Sequence, residues 1–137
     1  MQTPSRRRQQ GLIREALYVF LAIAIVMAVL LDGVALFTVQ QDARDNASDA
    51  GLEAKQDYVQ SGSVEQARAA AAKHVDAKDA DLVDFSVSTR QGTSAETFTV
   101  TVQHHVDTYI FKYLGYLPGL DEWVEDVENP TITRTTG

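Results

Sequence analysis

The sequence predicts an α+β protein: a single N-terminal transmembrane helix continuing into a stalk helix, then a small extracytoplasmic domain with a second helix packed on an antiparallel β-hairpin or short sheet. Three observations carry this. Residues 16–39 form an apolar run of 24 residues whose one charge is Asp32. Small residues then recur at the helical period, and beyond residue 80 apolar residues recur at every second position. A chain of 137 residues holds one ordinary domain plus an appendage, which leaves no room for a two-domain enzyme.

At 1.5 Å per residue the apolar run reaches roughly 36 Å, enough to cross a hydrocarbon core of about 30 Å. A core helix of a soluble protein is a poor reading, because nothing else in the chain is large and apolar enough to surround it. A cleaved secretory signal competes. Gly33 and Ala35 are small residues of the kind a signal peptidase reads, although the uninterrupted part, residues 16–31, exceeds the usual h-region of about 7 to 15. The flanks set the sidedness. Residues 1–15 carry a net +3 from Arg6, Arg7, Arg8 and Arg14 against Glu15, while residues 39–137 carry a net −9. The positive-inside rule therefore expects 1–15 as a cytoplasmic basic segment, 16–39 in the membrane and 40–130 outside as the α+β domain with its stalk; residues 131–137 read as a flexible tail, short and extended or disordered. Asp32 admits two readings: a polar contact to a partner helix, or a carboxylate that reaches the outer headgroups because the hydrocarbon ends near Leu31. Glu15 at the inner end poses the same choice, with Arg14 beside it.

From Val39 a small-residue stripe continues through Ala43, Ala47, Ala50, Ala54 and Tyr58, at spacings of three and four. It predicts a stalk helix whose stripe meets either the second helix or a partner helix, with Ala47 and Ala50 as contact residues. The charged residues on its other faces read as solvated surface. Ser61-Gly62-Ser63 breaks this helix, and Ser63 with Gln66 three residues on forms a capping-box pattern. A second helix follows over 64–75, with Val64, Ala67, Ala71 and Val75 on one face and four consecutive alanines raising its propensity. Two strands come next. Val83, Phe85 and Val87 alternate with polar residues, as do Phe98, Val100, Val102, His104 and Val106, and a turn over 90–95 makes them a hairpin.

The last third is the most apolar part of the domain. Asp107 is placed to cap a short helix containing Tyr109, Ile110, Phe111, Tyr113 and Leu114, which ends at Gly115 before a loop over 116–120. Residues 121–128 fit either one helical turn, with Trp123, Val124 and Val127, or a strand; Pro130 stops both. Tyr109, Phe111, Tyr113, Tyr116, Leu117 and Trp123 hold more aromatic surface than a hairpin and an alanine-rich helix can cover, so they are expected to form the main partner interface. The competing reading puts Phe111, Leu114 and Trp123 in the core and the tyrosines at the membrane surface.

The chemical inventory excludes most activities. There is no Cys, hence no disulfide, thiol nucleophile or Cys-based metal site. His104 and His105, adjacent on a strand, point to opposite faces, and no serine carries the glycines of a nucleophile elbow. The 115–119 segment lacks phosphate-loop spacing. The net charge of −7 argues against nucleic acid. Asn46-Ala47-Ser48 matches a glycosylation acceptor only by composition. No catalytic residue, metal, cofactor or small-molecule substrate is expected.

The order of features resembles a family. An Arg-rich start, Gly11 followed closely by Glu15, one membrane helix running into an Ala-rich stalk, then Phe98-Thr99-Val100-Thr101-Val102 and a terminal aromatic segment are similar to the TadE-like pseudopilins of Flp (Tad) pilus assembly. In that family a peptidase cuts after a Gly with a Glu at the fifth position. Here Glu15 is fourth after Gly11 and Arg14 replaces an apolar residue. The resemblance implies a non-enzymatic role in pilus or secretion-system assembly, with other membrane, pilus or secretion proteins as partners and Gly11 with Glu15 as the processing site. The alternative is a membrane-anchored accessory subunit or binding module that docks its aromatic segment on a larger envelope complex.

Overall fold

The computed structural model describes residues 5–89, 92 and 94–137, with side chains from residue 11 onward. The turn expected over 90–95 thus lies partly outside the described residues, as do the side chains of Arg6, Arg7 and Arg8. The fold is α+β, a long helix bearing a small head. Helix α1, Ser5–Ser61, runs unbroken for 57 residues, about 85 Å. It ends where the sequence breaks it: the Gly62 amide bonds back to the Tyr58 carbonyl, and Gly62 has a φ of +67°, the left-handed conformation that a side chain disfavours.

Helix α2, Val64–Asp76, starts as expected at Ser63, whose hydroxyl accepts from the Gln66 amide. The return half of a capping box is absent, because the Ser63 amide donates to the Ser61 hydroxyl instead. Ala67, Ala71 and Val75 are buried, while Val64, expected on the same face, stays about half exposed. Strands β1 (Asp81–Thr89), β2 (Glu96–Gln103) and β3 (Thr131–Thr136) form an antiparallel sheet in that spatial order, with β2 central. In β2 the alternation holds, and Phe98, Val100 and Val102 are buried. In β1 it slips. A register shift between Leu82 and Asp84 makes Val83 an extra residue, so Leu82 turns inward and Val83, expected on the apolar face, is exposed.

The third strand corrects the expected flexible tail over 131–137. Thr131–Thr136 pairs with Phe98–Gln103 residue by residue. On the outer face Thr101 and Thr133 hydroxyls lie 2.9 Å apart and Thr99 and Thr135 3.3 Å apart, and the Lys55 ammonium donates to the Gly137 carbonyl at 2.6 Å. Residues 121–128, ambiguous in the sequence, are helix α4 (Asp121–Glu128), preceded by the single turn α3 (Phe111–Leu114). Asp107 does not cap α3. The N-cap position is Ile110, which makes no side-chain cap bond, and the Thr108 hydroxyl two residues earlier accepts from the Lys112 amide and donates to Glu128.

The core lies between α1, α2 and the sheet. Ala47, Ala50 and Ala54 meet Ala67, Ala71, Val75, Phe98, Val100 and Val102 there, and all are buried. Alanines let the helix axes and sheet approach closely. Gly51 takes this furthest, since a Cβ there would stand 2.6 Å from the Thr136 hydroxyl. The stripe is therefore the internal joint of stalk and head. Ala47 and Ala50, expected as residues for a partner helix or for α2, are covered by the chain itself.

Candidate functional site

The described residues divide α1 into two zones. From Gly11 to Leu31 every side chain except that of Ala28 is exposed, and these include Leu17, Phe20, Leu21, Ile25, Leu30 and Leu31. At Asp32 the exposure ends on one face. Asp32 is fully buried, and the buried or half-buried line continues through Ala35, Leu36, Val39 and Ala43 into the alanine stripe.

What covers Asp32 is the start of the aromatic segment. Its carboxylate accepts three backbone N–H groups, from Tyr109 at 2.6 Å, Ile110 at 2.7 Å and Phe111 at 3.2 Å. These donors lead into α3 around its N-cap Ile110, so one carboxylate on α1, 77 residues away, satisfies the donors at the start of that helix. Neither sequence reading of Asp32 foresaw this. Its partner is the chain's own backbone, and the signal available was a lone acidic residue in an apolar run together with a short helix lacking a good side-chain cap of its own.

Three side-chain contacts measure how the head lies along α1. The Tyr58 phenol donates to Glu96 at 2.7 Å, Asn46 Nδ2 lies 3.1 Å from His104 Nε2, and Asp32 holds residues 109–111. As the chain advances from 96 to 111 it descends α1 from 58 to 32, about 39 Å. The aromatic segment is therefore the end of the head nearest the apolar zone. We call it the lip.

Within the lip Phe111 and Trp123 pack edge to face at 5.9 Å, Tyr113 and Tyr116 lie 6.4 Å apart, and the Lys112 ammonium stands 5.3 Å from the Tyr113 ring centre. Val124 is buried and Phe111 half-buried. Tyr109, Tyr113, Tyr116, Leu117 and Trp123 are exposed, Tyr116 at 83%. The segment expected as an interface is thus an open apolar surface with a small core of its own.

Farther up, Asp42, Asp45, Asn46, Asp49, Lys78 and His104 line a shallow cleft. Asn46 is 5% exposed and helical, which makes its side chain unavailable as a glycosylation acceptor. No group of three His, Asp or Glu side chains able to hold a metal occurs among the described residues. His74 instead pins the two helices through Glu53 at 3.0 Å, and His105 lies 2.9 Å from Asn129 and 3.4 Å from Asp107.

His104 is the group from which an acid sensitivity of the head is expected. Burial holds its imidazole below the ordinary histidine value, with Asp42 partly opposing, so the fold favours the neutral ring. Such a group contributes stability above its unfolded value of about 6.5, and that contribution is lost as pH falls toward the folded value. His105 runs the other way. Its bond to Asn129 and the nearby Asp107 raise its pKa, so its contribution is present at low pH and lost as pH rises through the folded value; solvent weakens it, as the side chain is 61% exposed. Acidification from about pH 7 to about pH 5 is expected to lower the head's Tm, and His104→Gln to reduce that drop. Equal slopes for the two proteins would show that His104 protonates freely in the fold.

Comparison with known proteins finds no match: no family model, curated protein or solved structure matches the chain.

Proposed function

We propose that the chain is a non-enzymatic single-pass membrane protein that acts in pilus or secretion-system assembly, in the manner its resemblance to TadE-like pseudopilins implies. The observation that carries the membrane part is the naked apolar zone of α1. From Gly11 to Leu31 its side chains, Ala28 apart, are exposed, they find no cover among the described residues of the head, and the helix passes without a break into the stalk. Water is an unfavourable solvent for that surface and hydrocarbon a favourable one. The charge flanks of +3 and −9 argue for a cytoplasmic N-terminus and an outer head. The assembly role draws support from the division of labour: the head uses the upper half of α1 for its own core and leaves the apolar half free for neighbouring helices.

Protease added to intact spheroplasts is expected to remove the head and leave a membrane-bound N-terminal fragment. Survival of the head until lysis overturns the orientation. The open lip favours a second reading, an anchored accessory subunit. Photo-crosslinkers at Leu21, Ile25 and Tyr116 separate the two, since helix packing predicts crosslinks from Leu21 and Ile25 to other single membrane helices and an accessory subunit predicts crosslinks only from Tyr116 in the lip.

A further inference from the structure

Resting on the membrane anchoring proposed above, we infer that the lip is a lipid-binding surface: Tyr109, Tyr113, Tyr116, Leu117 and Trp123 lie in the outer interfacial layer of the bilayer that α1 spans. Depth is the first argument. Asp32 fixes the lip's height on α1 through three backbone hydrogen bonds. On the open side of the helix, apolar exposure continues past that height to Val34 and Phe37, each 64% exposed. Phe37 stands five residues beyond Asp32, about 7.5 Å farther along the axis. A bilayer that covers Phe37 also reaches the lip, and the overlap matches an interfacial layer roughly 5 to 8 Å deep on each side of the hydrocarbon.

Chemistry is the second argument. Tyr and Trp present an apolar ring with a polar edge, the combination that membrane interfaces favour, and Leu117, exposed between Tyr116 and Pro118, adds aliphatic surface. The bare backbone donors that open α3 would be costly at that depth, and the Asp32 carboxylate satisfies them. The same bonds give Asp32 a reason to occupy the end of an apolar helix. Charge narrows the lipid. Lys112 is the lip's one cation against exposed Asp121, Glu122, Glu125 and Asp126 on α4, so the surface suits a zwitterionic headgroup and is repelled by an anionic one. A protein partner for the same rings is the outcome that the test must distinguish.

Trp123 is the chain's only tryptophan, which makes it an intrinsic probe. The full-length protein is reconstituted in phosphatidylcholine bilayers, with and without lipids brominated near the headgroup end of their acyl chains. Trp123 emission is expected to be quenched by the brominated lipid and to lose severalfold in its quenching by aqueous acrylamide relative to an unfolded control. Tyr116→Ser with Leu117→Ser should reverse both changes while the far-UV spectrum is retained, and added phosphatidylglycerol should weaken the lipid quenching. A second protein, Phe20→Trp in a Trp123→Phe background, reports on α1 alone. If its tryptophan is quenched by brominated lipid and Trp123 remains open to acrylamide, the lip inference is overturned and the anchoring stands. If neither is quenched, the anchoring fails too. Trp123 shielded from acrylamide yet untouched by brominated lipid also overturns the inference and assigns the lip to protein.

Discussion

Asp32→Ala is expected to detach residues 109–111 from α1 while leaving the sheet intact. The substitution removes a buried carboxylate that accepts three amides at 2.6, 2.7 and 3.2 Å, and nothing else in the described residues accepts from them. Hydrogen bonds to a charged group contribute about 1.5 to 3 kcal/mol each in favourable cases, and they are not additive here because one acceptor serves all three. A local loss of about 3 kcal/mol corresponds to amide exchange faster by about 100-fold at Tyr109, Ile110 and Phe111. Exchange at Val100 and Val102, in the central strand, should change far less. Asp32→Asn provides the graded control, since it keeps one acceptor oxygen but turns a donor toward the amides. Uniform acceleration across head and lip would mean that the clamp holds the whole fold, and no acceleration would mean that water replaces the carboxylate without cost.

The second large effect is expected at the alanine joint. Ala47 and Ala50 are fully buried between α1, α2 and the sheet, so a leucine at either position has no space to enter. Overfilling a packed contact costs about 1 to 3 kcal/mol, and the two sites lie one helical turn apart, so the double variant should depart from additivity. Chemical denaturation of the head would measure this as a lower midpoint with little change in m. The apolar zone of α1 lies outside the joint, so its helix should persist. Unchanged unfolding for both variants would contradict the packing.

Much of the chain was legible because its signals are local. Ser63 and Gly62 punctuate the α1–α2 junction through their own side chain and backbone freedom, and the alternation of Phe98, Val100 and Val102 records a strand with one buried face. Other features depend on partners distant in sequence. Val83 reads as part of a regular alternation, and only its pairing with β2 reveals the bulge that turns it outward. Thr131–Thr136 carries a single apolar residue, Ile132, so it lacks the pattern of a half-buried strand. Its β-branched threonines were the available signal. A free edge on β2 and the small face at Gly51 complete the strand.

By itself the sequence determined the division into an apolar helical run, its helical continuation and an α+β head, because hydrophobic period and helix punctuation act over a few residues and survive without tertiary context. It also placed the aromatic surplus in the last third of the chain. The tertiary structure decided what each contact is for. It turned the alanine stripe inward and made a strand of the tail. It also gave the carboxylate of Asp32 to the amides of residues 109–111. Those outcomes rest on contacts spanning tens of residues in sequence, where close approach, an open strand edge and unsatisfied backbone donors select the partner, and no local pattern encodes that choice.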